Sequence, residues 1–273
     1  VSMPRRRDAV PGFGFSLSVT LLWLGGLVLL PLLALLLRPA ELGPAGLWHS
    51  VTEPRVLAAL QLSFGAALAA SALNLPLGLL VAWVLVRYRF PGRGLLDAAV
   101  DLPFALPTAV AGLALTALYA PNGWIGAPLA ALGLKVAYTP LGVGLAMLFV
   151  GLPFVVRSVE PVLRDLPREA EEAAATLGAT RAQALWRVVL PALAPALLAG
   201  FAMASARAIG EYGSVIFIAG NMPMVSEIAP LLIVTRLEQF DYAGAAAVGL
   251  AMLALSFLML LALNLARRLW RPA

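Results

Sequence analysis

Cysteine is absent from the 273 residues, and histidine occurs once, at position 49. Without a thiol there can be no disulfide, thiolate metal site or cysteine nucleophile. A lone imidazole with no cysteine partner cannot build a zinc site either, so His49 reads as a solvated loop residue. Charge is scarce: Asp, Glu, Lys and Arg make up 12% of the chain, against about a quarter in an ordinary soluble domain. A G-x-x-x-x-G-K-[ST] phosphate loop is missing, so the chain lacks the usual means of holding ATP. So are a Ser/His/Asp set, a metal cluster and a carboxylate pair within one apolar run. The expectation is a protein that is not an enzyme and carries no cofactor of its own.

What the chain has instead is apolar length. Hydrophobic residues make up 62%, gathered in runs long enough to cross the roughly 30 Å hydrocarbon core. Six spans are expected, at about 15–37, 56–86, 98–118, 139–156, 192–218 and 243–266. The first follows the basic cluster Arg5, Arg6 and Arg7, as a signal peptide would, but it continues through leucines to Arg38 and reads as a retained anchor. Continuous runs are not the short alternating segments of a barrel. The prediction is an all-α membrane protein.

An even number of spans puts both termini on one side, and the basic residues choose it. Fourteen of them, among them Arg5–Arg7, Arg87, Arg157, Arg168, Arg187 and Arg267, fall on the side of the termini. Arg38, Arg55, Lys135 and Arg236 fall on the other, and Arg207 lies within a span. Both termini are therefore expected in the cytoplasm, with loops at about 39–55, 119–138 and 219–242 outside. The net charge of +5 is scattered among loops, with no stripe for nucleic acid. Pro31, Pro76, Pro103, Pro107, Pro153 and Pro195 interrupt or edge the runs. Such bends suit a gated pathway, although membrane helices carry proline often in any case.

The one long polar loop, at about 157–191, carries its own structure in the sequence. Asp165 is placed to cap a helix with Pro167 in its first turn, and Gly178 fits a left-handed stop. Thr180 followed by Gln183 is a capping box for a second short helix, expected to end at Leu190 before Pro191. Two helices joined at a glycine turn are predicted.

That loop resembles a known family. Glu172-Ala173-Ala174, then Gly178, then Val188, Leu190 and Pro191 is similar to the EAA signature of permease subunits of binding-protein-dependent ABC importers. The resemblance extends over 56–265. NLPLGLLVAWVLVRYRFPGRG (74–94), DLPFALPTAVAGLALT (101–116), YAPNGWIG (119–126), GLPFVVRSVEPVL (151–163) and the segment 210–245 resemble the sulfate/thiosulfate permeases, most of all their T-subunit group. Molybdate and tungstate permeases share the architecture and are the alternative. An ion-coupled secondary transporter is a more distant one, and it would want carboxylates near the midplane. Asp97 and Asp101 lie near the cytoplasmic end of their span and read as interface residues.

The resemblance implies the type I ABC importer permease fold, with the first loop helix docking into an ATPase subunit. It divides the chain into 1–55 (tail, first span and first outer loop), a permease domain at 56–265 and a tail at 266–273. It also implies partners: a dimer of ATP-binding subunits carrying the ATP and Mg²⁺, a second homologous permease chain, and a periplasmic or lipid-anchored sulfate/thiosulfate-binding protein, all at the inner membrane. Arg207 and Glu211, opposite charges four residues apart in one apolar run, are expected on one helical face. They form either a structural pair or part of an anion path. Ser63, Ser71, Thr108 and Ser205 could pass an anion, but such residues more often hydrogen-bond between helices.

Overall fold

The structure, a computed structural model, describes residues 12–269 and the side chains of 12–265. The Arg5–Arg7 cluster and the end of the carboxy-terminal tail lie outside the described residues. The apolar first segment forms α1 (Phe13–Leu24) and α2 (Leu30–Leu37), joined without a break by a π-helical turn at Gly25–Leu29. Pro31 follows this turn. Its ring and missing N–H disturb the ordinary α-ladder, and a wider turn accommodates them. Not one side chain of the segment is buried, and Leu22, Trp23 and Leu37 are open.

Where an outer loop was expected, α3 (Gly43–Thr52) forms, so His49 sits on a helix and not in a loop. Next comes α4 (Pro54–Arg87), one helix of 34 residues that keeps Pro76 inside it. At about 1.5 Å per residue it is about 50 Å long and projects from both faces of a 30 Å hydrocarbon layer.

The expected third span departs most from the reading. It forms α5 (Arg93–Val100), α6 (Leu102–Ala105) and α7 (Thr108–Tyr119) in place of one helix. Leu106 is extended, with ψ 135°, because the residue before a proline is pushed out of the helical region, and Pro107 follows it. Among the described residues, five helical segments are long and apolar enough to cross a membrane, and α7 is a shorter apolar helix. Five of the six expected runs thus contain a long helix, and the third is broken into short ones.

Beyond α8 (Gly126–Ala131), α9 (Pro140–Asp165) runs nine residues past the expected end of its span. Its polar end is anchored: Val159 and Leu163 are fully buried and Glu160 nearly so. Asp165 thus ends α9 instead of capping the next helix, and α10 (Arg168–Thr176) begins after Pro167 with no side-chain cap. The glycine turn and the capping box form as predicted. Gly178 has φ +82°, and Thr180 and Gln183 satisfy each other's backbone N–H at 3.3 and 2.8 Å.

The second loop helix does not stop at Leu190. From α11 (Arg181–Ala184) a π turn at Leu185–Val189 carries the chain over Pro191 into α12 (Leu190–Ile209), so loop and span form one continuous helical segment. The fifth run then breaks at Gly210 and resumes as α13 (Val215–Ile218), followed by α14 (Ala229–Glu238) and α15 (Tyr242–Leu269).

The core is the trio α4, α9 and α12. Small residues let the helices close up: Val155 of α9 lies between Gly78 of α4 and Gly200 of α12. A Cβ on Gly78 would come within 2.7 Å of the Val155 side chain, and one on Gly200 within 2.9 Å of its Cα. Close backbone approach of this kind is how membrane helices gain packing, since lipid tails give no hydrophobic drive between them. Asn74 adds a hydrogen bond to the Leu148 carbonyl at 3.0 Å, beside the proline of α4.

Candidate functional site

Glu172 and Ala173 are exposed on α10, Ala174 is half-buried, and Leu177 beside the Gly178 turn is 89% exposed. A glutamate and a bare leucine at the tip of a helix make a surface that can dock into a partner by charge and by apolar contact. Space around Gly178 is open, so a side chain there would be strained by backbone conformation and not by crowding. Val188, Leu190 and Pro191 lie apart from that tip, in the π turn and the first turn of α12, and α10 packs against the π turn. The signature residues therefore lie along one path: an exposed helix, a glycine corner and a helix that continues into the span.

These helices are tied to the bundle by arginines. Arg87, the last residue of α4, is 10% exposed and bonds Glu171 of α10 at 2.7 Å. It also donates to the Leu166 carbonyl at 3.3 Å and stacks over Trp83. Arg168 in turn reaches the carbonyl of Arg87. Alongside, Arg157 of α9 gathers Asp97 (2.7 Å), Asp101 (2.6 and 2.9 Å) and Glu160 (2.6 Å), and Glu160 also pairs with Arg164. Asp97 and Asp101 thus fasten the broken third span to α9. Arg157, Asp97 and Asp101 are one-third to one-half exposed and Arg164 more so, with Glu160 nearly buried, so water screens much of their attraction.

Arg207 and Glu211 do meet, at 2.6 Å, but not as two positions of one helix face. α12 has ended by Gly210, and Glu211 turns back under it. Its side chain is 1% exposed, and one carboxylate oxygen accepts from both the N–H and the hydroxyl of Ser214 at 2.9 Å. Arg207 remains 36% exposed. The break at 210–214 packs against the break in the third span. Gly213 faces Thr108, where a Cβ would be 2.1 Å from the hydroxyl, and Gly112 abuts the backbone of Ser214. Gly210, by contrast, is open. Ser63 bridges helices as expected, donating to the Ala59 carbonyl and accepting from the Ala229 N–H at 2.8 Å each. The hydroxyls of Ser71 and Ser205 are buried without a partner.

At the far end of α4 stands a second arginine clamp. Arg55 grips the buried carboxylate of Glu227 with two bonds of 2.7 Å. Arg236 of α14 binds Ser50 at 2.8 Å and pairs with Glu53.

Residues 74–271 match the family described as "Binding-protein-dependent transport system inner membrane component". The chain belongs to that family. Among relatives of this inner membrane component is the "Sulfate transport system permease protein CysT" of Salmonella typhimurium. It is 52% identical over 258 residues, which cover 94% of this chain and 93% of the relative. The protein of the same description from Synechocystis is 49% identical over 247 residues, covering 90% and 86%. A solved bacterial alginate ABC transporter, in complex with its alginate-bound periplasmic protein, contains a chain of the same fold. Its TM-score is 0.76 at 17% identity, over 95% of each chain.

Arg87, Arg157 and Glu227 were not singled out in the sequence as site residues. The one available signal was that arginines stand at helix ends with acids in distant loops, and sequence spacing cannot pair residues 84 or 172 positions apart.

Proposed function

We propose that this inner-membrane permease subunit moves sulfate, and thiosulfate with it, into the cytoplasm as part of an ATP-driven importer. The observation that carries this reading is identity of 52% across 94% of the chain to a sulfate transport permease. It favours sulfate over molybdate and tungstate. ATP and Mg²⁺ belong to a separate pair of ATPase subunits, which dock on α10 through Glu172 and Leu177 and drive α12 through the Gly178 corner. A second homologous permease chain completes the path, and a binding protein delivers the anion from outside. Both termini and α10 face the cytoplasm, in keeping with the distribution of basic residues.

Arg207 lies on the path. Glu211, itself fixed by Ser214, holds its side chain at the end of α12, and its part-exposed guanidinium offers a planar fork that suits an oxyanion.

The test uses the purified complex of both permease chains and the ATPase in nanodiscs, with ATP hydrolysis followed as the binding protein is added loaded with sulfate, thiosulfate or molybdate. Sulfate should stimulate hydrolysis and molybdate should not. Stimulation by molybdate alone overturns the substrate. In the same cysteine-free background, Glu172→Cys should resist an impermeant external reagent in intact cells, and labelling there reverses the orientation.

A further inference from the structure

The two arginine clamps described above sit at opposite ends of one helix. Arg55 is the second residue of α4 and Arg87 the last. Each grips a glutamate from a segment distant in sequence, Glu227 at one end and Glu171 at the other. Each clamp is reinforced by a backbone contact. Ser63 of α4 accepts from Ala229 N–H, two residues past Glu227, and Arg168, three residues before Glu171, donates to the Arg87 carbonyl.

Both held segments are largely exposed. Glu171 lies on α10. Glu227 is the foot of the loop 219–228, which presents Met222, Met224 and Val225 to solvent. That loop is internally braced: the Met222 carbonyl accepts from Ser226 and Glu227, and the Ser226 hydroxyl accepts from Met222 N–H. Asn221 and Met224 hold positive φ within it, a conformation that persists only when the surroundings fix it. A displacement of Glu227 is therefore a displacement of the loop.

Between its ends α4 does not bend independently of its neighbour. Its buried stripe packs with Ala229, Leu232 and Val248 of α14 and α15 from Val56 to Leu60, and with α9 and α12 from Ala67 to Leu85. At Pro76, the point where a helix alone would flex, Asn74 is bonded to Leu148 and Gly78 is closed against Val155.

We propose that α4 is a strut coupling the two faces of the membrane, with Arg87–Glu171 and Arg55–Glu227 as positioning pairs at its ends. Movement of α10 passes through Arg87 into α4 and through Arg55 into the loop 219–228. By linkage, a partner seated on that loop biases α10 to the same extent. The inference rests on the reading that α10 docks an ATPase and that a binding protein approaches the opposite face.

The experiment uses the complete complex in nanodiscs and measures ATP hydrolysis with and without sulfate-loaded binding protein. Glu227→Gln should assemble and keep basal hydrolysis, while the stimulation factor falls about fivefold or more. Glu171→Gln should lower the factor likewise. The double variant should be no worse than the weaker single, because two breaks in one strut act in series. Multiplying losses in the double variant would mean separate routes and overturn the strut. If Glu227→Gln fails to assemble, Arg55→Glu with Glu227→Arg should recover assembly and stimulation together, and an assembled swap without stimulation is equally fatal. Full stimulation in Glu227→Gln beside a stimulated wild type overturns the strut alone. An unstimulated wild type overturns the transport reading and the strut with it.

Discussion

The first helical segment, α1 and α2, and the trio α4, α9 and α12 are all apolar and long enough for a bilayer, yet they live in different surroundings. None of the side chains of α1 and α2 is buried, whereas 56% of the most apolar stretch of α9 is. The difference is in the kind of apolar residue. α1 and α2 are rich in leucine, with Gly25 and Gly26 meeting nothing within 4 Å, while α4 and α12 place glycine and alanine where α9 passes. Large side chains suffice against lipid, which fills any gap. Against another helix, energy comes from contact distance, and a small residue allows it. Hydropathy thus reports the solvent of a span, and the placing of its small residues reports its neighbours.

Substitutions at three places sharpen that contrast. Gly78→Leu has the largest expected effect, because its Cβ alone would lie 2.7 Å from Val155. Overpacking of this order costs about 3 kcal/mol, read as lost thermal stability and lost monodisperse complex in detergent. Val155→Ala should recover part of the loss in a Gly78→Ala background, and no recovery would show that another contact governs the site.

The polar pair at the end of α12 comes next, and its two members should differ. Glu211→Leu strands the buried Ser214 N–H and leaves Arg207 unpaired, a loss of about 2 kcal/mol. Arg207→Gln leaves the buried Glu211 carboxylate without its cation and costs at least as much, about 2 kcal/mol or more, and in addition transport of the dianion falls sharply. Arg207→Gln transporting at the wild-type rate removes Arg207 from the path. Exchanging the two charges is a poor test, because a cation at position 211 would face the donors of Ser214. The smallest effect belongs to Gly26→Ala. With open space and helical backbone, it should be neutral or stabilising by about 0.5–1 kcal/mol, and a loss of assembly there would mean that a protein neighbour covers this segment.

Much of the loop at 157–191 was legible in the sequence because its signals are local. A left-handed glycine and a capping box are decided by residues within a turn of each other, so Gly178 and Thr180–Gln183 form as read. The ends of helices were less legible where proline stood near them. Pro107 breaks its span, yet Pro76 and Pro191 are carried through. The residue is the same, but the outcome depends on what packs beside it: Asn74 and Val155 support the first of these, and a π turn absorbs the second. The extension of α9 to Asp165 has the same origin, since only the burial of Val159 and Leu163 keeps a charged segment helical.

By itself the sequence determined that this chain crosses a membrane, that it is helical, which loop carries helices around a glycine turn, and which family's motifs it carries. Each of these follows from composition, or from spacings within a few residues. The tertiary structure alone decided which charges are partners. Arg87 with Glu171, Arg157 with Asp97 and Asp101, and Arg55 with Glu227 are joined across 56 to 172 positions. No local propensity fixes such separations, because the geometry that brings them together is the close packing of α4, α9 and α12 around glycines with no side chain of their own.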